Sequence, residues 1–429
     1  MMPNPRVAIL GLNFSPEPTG ISPYTASLAH GLHERGMPVQ VLTAHPHYPA
    51  WSFEEGYGQW VRRENIAGVS LVRLRHYLPK KPVGLARLVS EVSFGLRLLL
   101  THWGKPDVVV LVSPALFATA IALFRARLFS LTRPAIVVWV QDLYSLGVTE
   151  TGIGGNVLTR IMKWIESTTL KAATGVVVIH PQFATYISER LGVPPEKIEV
   201  IRNWTHLKKS PKTDVTAVRA QYGWANDDTV LLHSGNIGIK QGLENVVNAA
   251  RIASSRQLPL RFVLVGDGNQ RESLEESARG ISHIQFVPSL DESDYQSIMA
   301  SADILLVNEK PGVAGMAVPS KLTSYFSTGR PVIAATNSTG ATASEIAVSS
   351  AGIVVNAGDP LALVETALEL RNDSTRAEEM GRNGLHYREA ILGEEAAIAH
   401  YAEYLLTLAA KRVRRPDPVS SRRNKDRRV

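Results

Sequence analysis

The sequence predicts an α/β protein of two doubly wound domains, each a parallel sheet with helices on both faces. Three observations predict it. Short, continuously apolar runs recur along the chain as buried strands, with helical stretches between them. The pattern lapses near residue 203 in a polar, basic, proline-containing stretch and restarts near residue 229. A chain of 429 residues is also too long for one ordinary core.

In the first half, Val7–Leu10, Val39–Thr43, Val69–Arg73, Val108–Val112, Ile136–Val140 and Gly175–Ile179 read as strands. Thr25–Arg35 and residues 84–100 read as helices. In the second half, strands are expected at Val230–His233, Leu260–Val265, Ile284–Val287, Ile304–Val307, Val332–Ala334 and Gly352–Val355. Leu243–Ser254 and residues 291–300 read as helices. Asn203–Asp214 is the expected linker, and no close internal repeat is visible. The expected domains are 1–204 and 205–384; a helix at 385–410 can pack back on the first, and 411–429 forms a basic, disordered tail.

Composition is globular, with 45% hydrophobic and 20% charged residues. There is no cysteine, so no disulfide framework and no thiolate chemistry. The start reads as a first core strand rather than a signal peptide, and no window is apolar enough to span a bilayer. A cytoplasmic protein is expected. The formal charge of +7 fits a nucleic acid, an anionic membrane or a phosphorylated substrate. Helix-turn-helix, zinc-finger and aromatic-platform patterns are absent, which argues against nucleic acid. The tail from Lys411 is either a solvated end or a contact for anionic lipid.

Ligands of open α/β sheets collect at the carboxyl ends of strands, and the unusual loops lie there. After the first strand comes Ser15-Pro16-Glu17-Pro18-Thr19-Gly20, either a structural turn or an anion or sugar loop around Gly20. It is not a dinucleotide fingerprint. Gln141 and Asp142 follow Val140; Asp142 either caps the next turn or meets an acceptor hydroxyl. His180 reads as structural. In the second half, Gly235, Asn236, Lys240 and Gly242 form a loop in which glycines allow close approach and Lys240 can neutralise phosphate. Gly266 and Asp267 open another loop. Ser320, Lys321 and Leu322 begin a helix after Pro319, where free backbone N–H groups favour anions. Lys321 points either to phosphate or away as a surface charge. No cluster has convincing metal-ligand spacing.

These loops, in this order over residues 5–400, resemble the large retaining family four of GT-B glycosyltransferases, and in particular its colanic-acid and exopolysaccharide branch. The resemblance implies two Rossmann-like domains facing across a cleft, acceptor in the N-terminal one and nucleotide-sugar donor in the C-terminal one. It places the donor diphosphate against Lys240 and the helix at Ser320, the base near Phe286 and Pro288, and Gly20 near the reacting groups. It implies metal-independent transfer with retention, no cofactor, Asp142 orienting the acceptor, and a GDP- or UDP-linked sugar. Three departures stand out: Gln141 where the family has His, Asn236 where it has Arg, and Ser324 where it has the second Glu of a Glu-x7-Glu motif. Glu309 lies near the missing first Glu with the wrong spacing. A GT-B nucleotide-sugar epimerase and a catalytically silent nucleotide-sugar binder are the alternatives.

Residues 78–100 carry the membrane signal. Leu85, Leu88, Val89, Val92, Leu96 and Leu99 repeat at helical spacing, with Lys80, Lys81, Arg87 and Arg97 beside them and Arg125, Arg127 and Arg133 in the same domain. The stripe is either a core face or a peripheral membrane contact. With the branch resemblance it implies a polyprenyl-diphosphate-linked acceptor on the inner face of the plasma membrane.

Overall fold

The computed structural model describes residues 4–17, 20–48, 50–80, 84–129, 133–145, 156–204, 213–312 and 320–413. Pro18, Thr19, Lys81, most of the expected linker, Val318, Pro319 and the tail beyond Val413 lie outside these residues. The chain forms two compact units: Met1–Asn203 together with Glu395–Val429, and Trp204–Glu394.

The first unit runs β1 (Val7–Gly11), α1 (Ser22–Glu34), β2 (Val39–Ala44), β3 (Val61–Ile66), β4 (Val69–Leu74), α2 (Gly84–Leu100), β5 (Val108–Ser113), α3 (Leu116–Leu128), β6 (Ala135–Val140), α4 (Asn156–Ala172), β7 (Gly175–Val178), α5 (Pro181–Leu191) and β8 (Ile198–Val200). Its eight strands are ordered β3-β4-β2-β1-β5-β6-β7-β8. Central strands β5 and β6 are buried at every position, as valine-rich strands covered on both faces must be.

Two strands escape the sequence reading. β3 pairs antiparallel with β4, Ile66 opposite Val69. Its Val-Arg-Arg-Glu-Asn-Ile alternates exposed and half-buried residues, so it has no apolar run to detect. The connecting Ala67 and Gly68 both have positive φ, the backbone of a two-residue hairpin turn. β8 is a three-residue edge strand.

The second unit runs α6 (Val215–Gln221), β9 (Thr229–Ser234), α7 (Glu244–Ser255), β10 (Leu260–Val265), α8 (Arg271–Ser277), β11 (Ile284–Val287), α9 (Glu292–Ser301), β12 (Ile304–Asn308), α10 (Ser320–Tyr325), β13 (Val332–Thr336), α11 (Ala341–Ser349), β14 (Gly352–Asn356), α12 (Pro360–Asn372) and α13 (Ser374–Ala390). All its pairings are parallel, in the order β11-β10-β9-β12-β13-β14. Aspartates 214, 291, 359 and 373 each accept a hydrogen bond from a first-turn N–H and so start a helix.

The expected helix at 385–410 is two helices. α13 ends at Ala390 and α14 (Glu394–Val413) begins after Ile391-Leu392-Gly393. Gly393 disfavours a continuous helix, and Leu392 is drawn into the core of the second unit. From Glu395 onward the chain packs with the first unit. There Tyr401 is fully buried with its ring 5.3 Å from that of Trp139, and Arg412 donates to Asp107 at 3.0 Å.

Candidate active site

Strand order reverses between β1 and β5 in one sheet and between β9 and β12 in the other. Crevices at the carboxyl ends of strands open at such points. The loops singled out in the sequence sit there.

In the second unit, the loops after β9 and β10 extend the sheet pairing. Gly235 N donates to Val265 O at 2.8 Å, Ile237 N to Asp267 O at 2.8 Å, and Gln270 N to Ile237 O at 3.0 Å. A Cβ on Gly266 would stand 2.0 Å from the Gly235 carbonyl oxygen. Gly266 is therefore first a packing requirement, and only its backbone can meet a ligand. The next residues, Ile239–Gln241, form a 3-10 turn. Buried Asn308 holds it from below, donating to Gln241 O at 2.7 Å and Gly242 O at 2.9 Å while its Oδ1 accepts from the Asn245 amide at 2.8 Å. Lys310 N donates to Lys240 O at 2.9 Å. The Lys240 side chain is left exposed on a cavity of about 470 Å3 lined also by Asn236, Gly238, Ile239, Gln241 and Asn269.

Of the two orientations expected for Lys321, the structure rules out the outward surface charge. Its chain folds inward, and Nζ lies 2.9 Å from Nε2 of the fully buried His233. The other ring nitrogen of His233 is 3.0 Å from Leu306 O. Burial lowers the Lys321 pKa to about 8, with Glu309 opposing the shift. Burial, and then Lys321, push His233 well below its ordinary range. Glu309 accepts from the hydroxyls of Thr336 and Thr342. Beside this group the Ser234 N–H donates to Tyr325 Oη at 2.9 Å, and its hydroxyl lies 3.1 Å from Tyr295 Oη.

The remaining residues expected to meet the donor divide. The Leu322 side chain is 2% exposed in the hydrophobic core, so only its backbone could face a ligand. Phe286 is half-buried against the core and Pro288 is exposed. Ser320 is the first residue of α10, a helix of six residues. His233, Asn308, Tyr295 and Tyr325 were missed because each is an ordinary strand or helix residue in sequence. Only the position of His233 and Asn308 at strand carboxyl ends could have flagged them.

In the first unit, Asp142 is exposed and its Oδ1 accepts from Leu143 N at 2.8 Å, so it does cap its own turn. Gln141, at the departure from the family pattern, makes a reciprocal amide pair with Asn203 at 3.1 and 2.7 Å. Glu166, 3% exposed, accepts from Tyr144 N at 2.7 Å and Ser145 N at 3.2 Å and fixes the loop that carries Asp142. Gly20 is exposed at φ +71°, a left-handed conformation suited to glycine. The loop before it is pinned by Glu17, which accepts from His47 N at 2.9 Å, Tyr48 N at 3.0 Å and Asn13 at 2.9 Å. Arg73, fully buried, donates to Ser15 O and Glu64 at 2.5 Å each. His180 caps α5 by accepting from Gln182 N at 3.2 Å, the structural role expected of it.

Comparison with known proteins bears on both units. Residues 19–204 match the model of a glycosyl transferase 4-like domain, and residues 228–373 that of glycosyl transferases group 1. The chain is 32% identical over 338 residues to WcaI of Escherichia coli strain K12, named for colanic acid biosynthesis as a glycosyl transferase; the match covers 76% of this chain and 81% of WcaI. It is 26% identical over 297 residues to the glycosyltransferase WbjE of Pseudomonas aeruginosa, covering 67% and 71% of the two chains. Among solved structures, Anabaena HepE in complex with UDP is similar at TM-score 0.69 and 14% identity, covering 94% of this chain and all of HepE. WaaG, a glycosyltransferase of lipopolysaccharide biosynthesis, is similar at TM-score 0.64 and 16% identity, covering 93% and 99%. At these identities the solved structures speak to the fold, which is GT-B.

Proposed function

The chain belongs to the glycosyl transferase 4 and group 1 family of GT-B glycosyltransferases, and from that premise we propose that it transfers a sugar from a nucleoside diphosphate to a lipid-linked saccharide with retention. The observation that carries the donor half is Lys240, exposed on a cavity at the switch point of the second sheet and held by a glycine-locked loop. A cation so placed favours charge on the departing diphosphate. In this reading the acceptor oxygen bonds to the anomeric carbon as its bond to phosphate oxygen breaks, and that phosphate oxygen takes the acceptor proton. No enzymatic base and no metal or cofactor is required. Asp142 orients the acceptor. HepE, with its bound UDP, makes UDP-linked sugars the first donors to try, with GDP-linked sugars beside them.

Calorimetry with UDP and GDP, followed by transfer kinetics, tests this reading. Lys240→Ala is expected to lower kcat/KM about 100-fold, or ~3 kcal/mol, as for loss of other preorganised donors. Unchanged turnover would remove Lys240 from the site. Release of a free sugar isomer without any acceptor would favour an epimerase instead, and donor binding without turnover would favour a silent binder.

The acceptor half rests on the outer faces of α2, α3 and α4, which neighbour one another. Leu85, Val89, Leu96 and Leu100 of α2 are exposed, and Leu88, Val92 and Leu99 half-buried. Phe124 and Leu128 of α3, the adjoining Phe129, and Val157, Ile161 and Trp164 of α4 add exposed apolar surface. Isolated apolar residues are ordinary on a surface, whereas so many on adjoining helices mark an interaction face. Exposed Lys80, Arg87, Arg127, Arg133 and Arg160 supply positive charge to meet anionic headgroups. Arg97 and Arg125 instead stack over Trp60 and Trp103 respectively, the first exposed and the second buried. No described helix is long and apolar enough to cross a membrane, so the contact is peripheral in this reading. Co-sedimentation with anionic vesicles is expected to weaken as salt rises. No binding at low salt, with efficient transfer to a short soluble sugar, would discard the lipid-linked acceptor.

A further inference from the structure

Asn236 leaves the donor loop one positive charge short of the family pattern, and the structure brings a different cation to the same place. Lys321 Cε lies 3.0 Å, and Nζ 3.5 Å, from the point a Cβ on Gly235 would occupy. The ammonium thus stands against the residue that precedes Asn236. The absent Cβ is what leaves room for it.

Its partner decides what it can do. His233 is fully buried at the carboxyl end of β9. One ring nitrogen faces Leu306 O at 3.0 Å. A carbonyl oxygen only accepts, so that nitrogen carries the proton and donates it. The other nitrogen, Nε2, is then a lone pair, and the Lys321 ammonium 2.9 Å away donates to it. The imidazole is kept neutral by burial and by Lys321 itself. A neutral acceptor fixes the ammonium in space without cancelling its charge. A carboxylate there would do both. Glu309, the carboxylate whose field reaches Lys321, is turned to the hydroxyls of Thr336 and Thr342. One ammonium proton serves His233, and the remaining two can serve phosphate oxygens.

We propose that His233 is a positioning residue, holding the Lys321 ammonium beside Gly235 as the second cation for the donor diphosphate; this rests on the nucleotide-sugar reading of the second unit. The bland alternative is a brace, in which the Lys321–His233 bond only joins α10 to β9. The two differ in ligand dependence. A brace affects every ligand of the unit alike, whereas a phosphate cation affects only phosphorylated ones.

The test uses the full chain and calorimetry with UDP, GDP, pyrophosphate, uridine and guanosine. Lys321→Met is expected to weaken the preferred diphosphate and pyrophosphate at least ten-fold and leave the nucleoside unchanged. His233→Leu is expected to act in the same direction. His233→Gln, whose amide oxygen can accept from the ammonium, is expected to recover most of the loss. A Lys321→Met protein that binds the diphosphate as tightly as wild type overturns the inference and leaves the donor reading standing. Equal losses for diphosphate and nucleoside, with a lowered Tm, also overturn it, in favour of the brace. Wild-type protein that binds neither diphosphate nor pyrophosphate sinks the donor reading itself, and the inference with it.

Discussion

Residues 235–242 follow β9 and residues 13–20 follow β1, each at the place where its sheet reverses strand order, yet the two loops are held by opposite means. The loop after β9 is fastened backbone to backbone. Its N–H groups and those of residues 266–270 pair as if the strands continued, and Gly266 is the point of closest approach. The loop after β1 is fastened by buried charged side chains. Glu17 collects three donors, and Arg73 reaches Ser15 O from β4. Backbone fastening does not itself draw on a loop's side chains, and Lys240 stays exposed. Side-chain fastening spends buried charges on position, so the groups left outward are few, Gly20 and Asp142 among them.

The comparison breaks first at Gly266. Gly266→Ala puts a Cβ against a backbone oxygen at a φ of +132°, with no flexible neighbour to yield. We expect a loss of more than ~4 kcal/mol, in the range of severe single substitutions, together with loss of UDP or GDP binding. Arg73→Leu comes next, at about 3 kcal/mol, because it strands Glu64 and the Ser15 carbonyl without their partner. It should leave nucleotide affinity unchanged, since Arg73 belongs to the other unit. Denaturant melts and calorimetry on both variants decide. Loss of nucleotide binding in Arg73→Leu, with a folded second unit, would dissolve the distinction.

The same contrast explains what the sequence made legible. Apolar strand runs and the glycine, lysine and proline punctuation of the donor loops are local signals. Both sheets were therefore visible in outline, as was the place of Lys240. The means of holding the acceptor loops was not local. Arg73 lies 58 residues from Ser15, and Glu166 lies 22 from Tyr144. Each reads singly as an ordinary surface charge. β3 was invisible because an edge hairpin facing solvent has no continuous apolar run. Lys321 was only half legible for a related reason. Its place at a helix start left phosphate and surface both open, and only the tertiary fold brings His233 beneath it.

The finest test concerns Glu91 of α2, 2% exposed and lodged against the first turn of α3. Its Oε2 accepts from Phe117 N at 3.4 Å, and its Oε1 lies 3.4 Å from Arg87 Nε. Arg87 in turn stands 5.8 Å from the centre of the Tyr144 ring, two residues beyond Asp142. Burial outweighs these partners and raises the Glu91 pKa from 4.5 to about 7. The native state therefore holds the proton that the unfolded chain releases at a lower pH. Glu91 thus lowers stability progressively as pH rises from about 4.5 through about 7, by up to ~3 kcal/mol for a shift of that size. Buried histidines such as His233 work in the opposite sense below pH 6.5, so the wild-type curve alone does not isolate Glu91. The difference between Glu91→Gln and wild type does. The variant should match wild type near pH 4.5, gain relative stability up to about pH 7 and then level off, read from denaturant midpoints across that range. Lys321, protonated in both states below its pKa of about 8, does not enter this window. A difference curve that stays flat would mean that Glu91 is ionised in the folded protein and that Arg87, rather than burial, governs it.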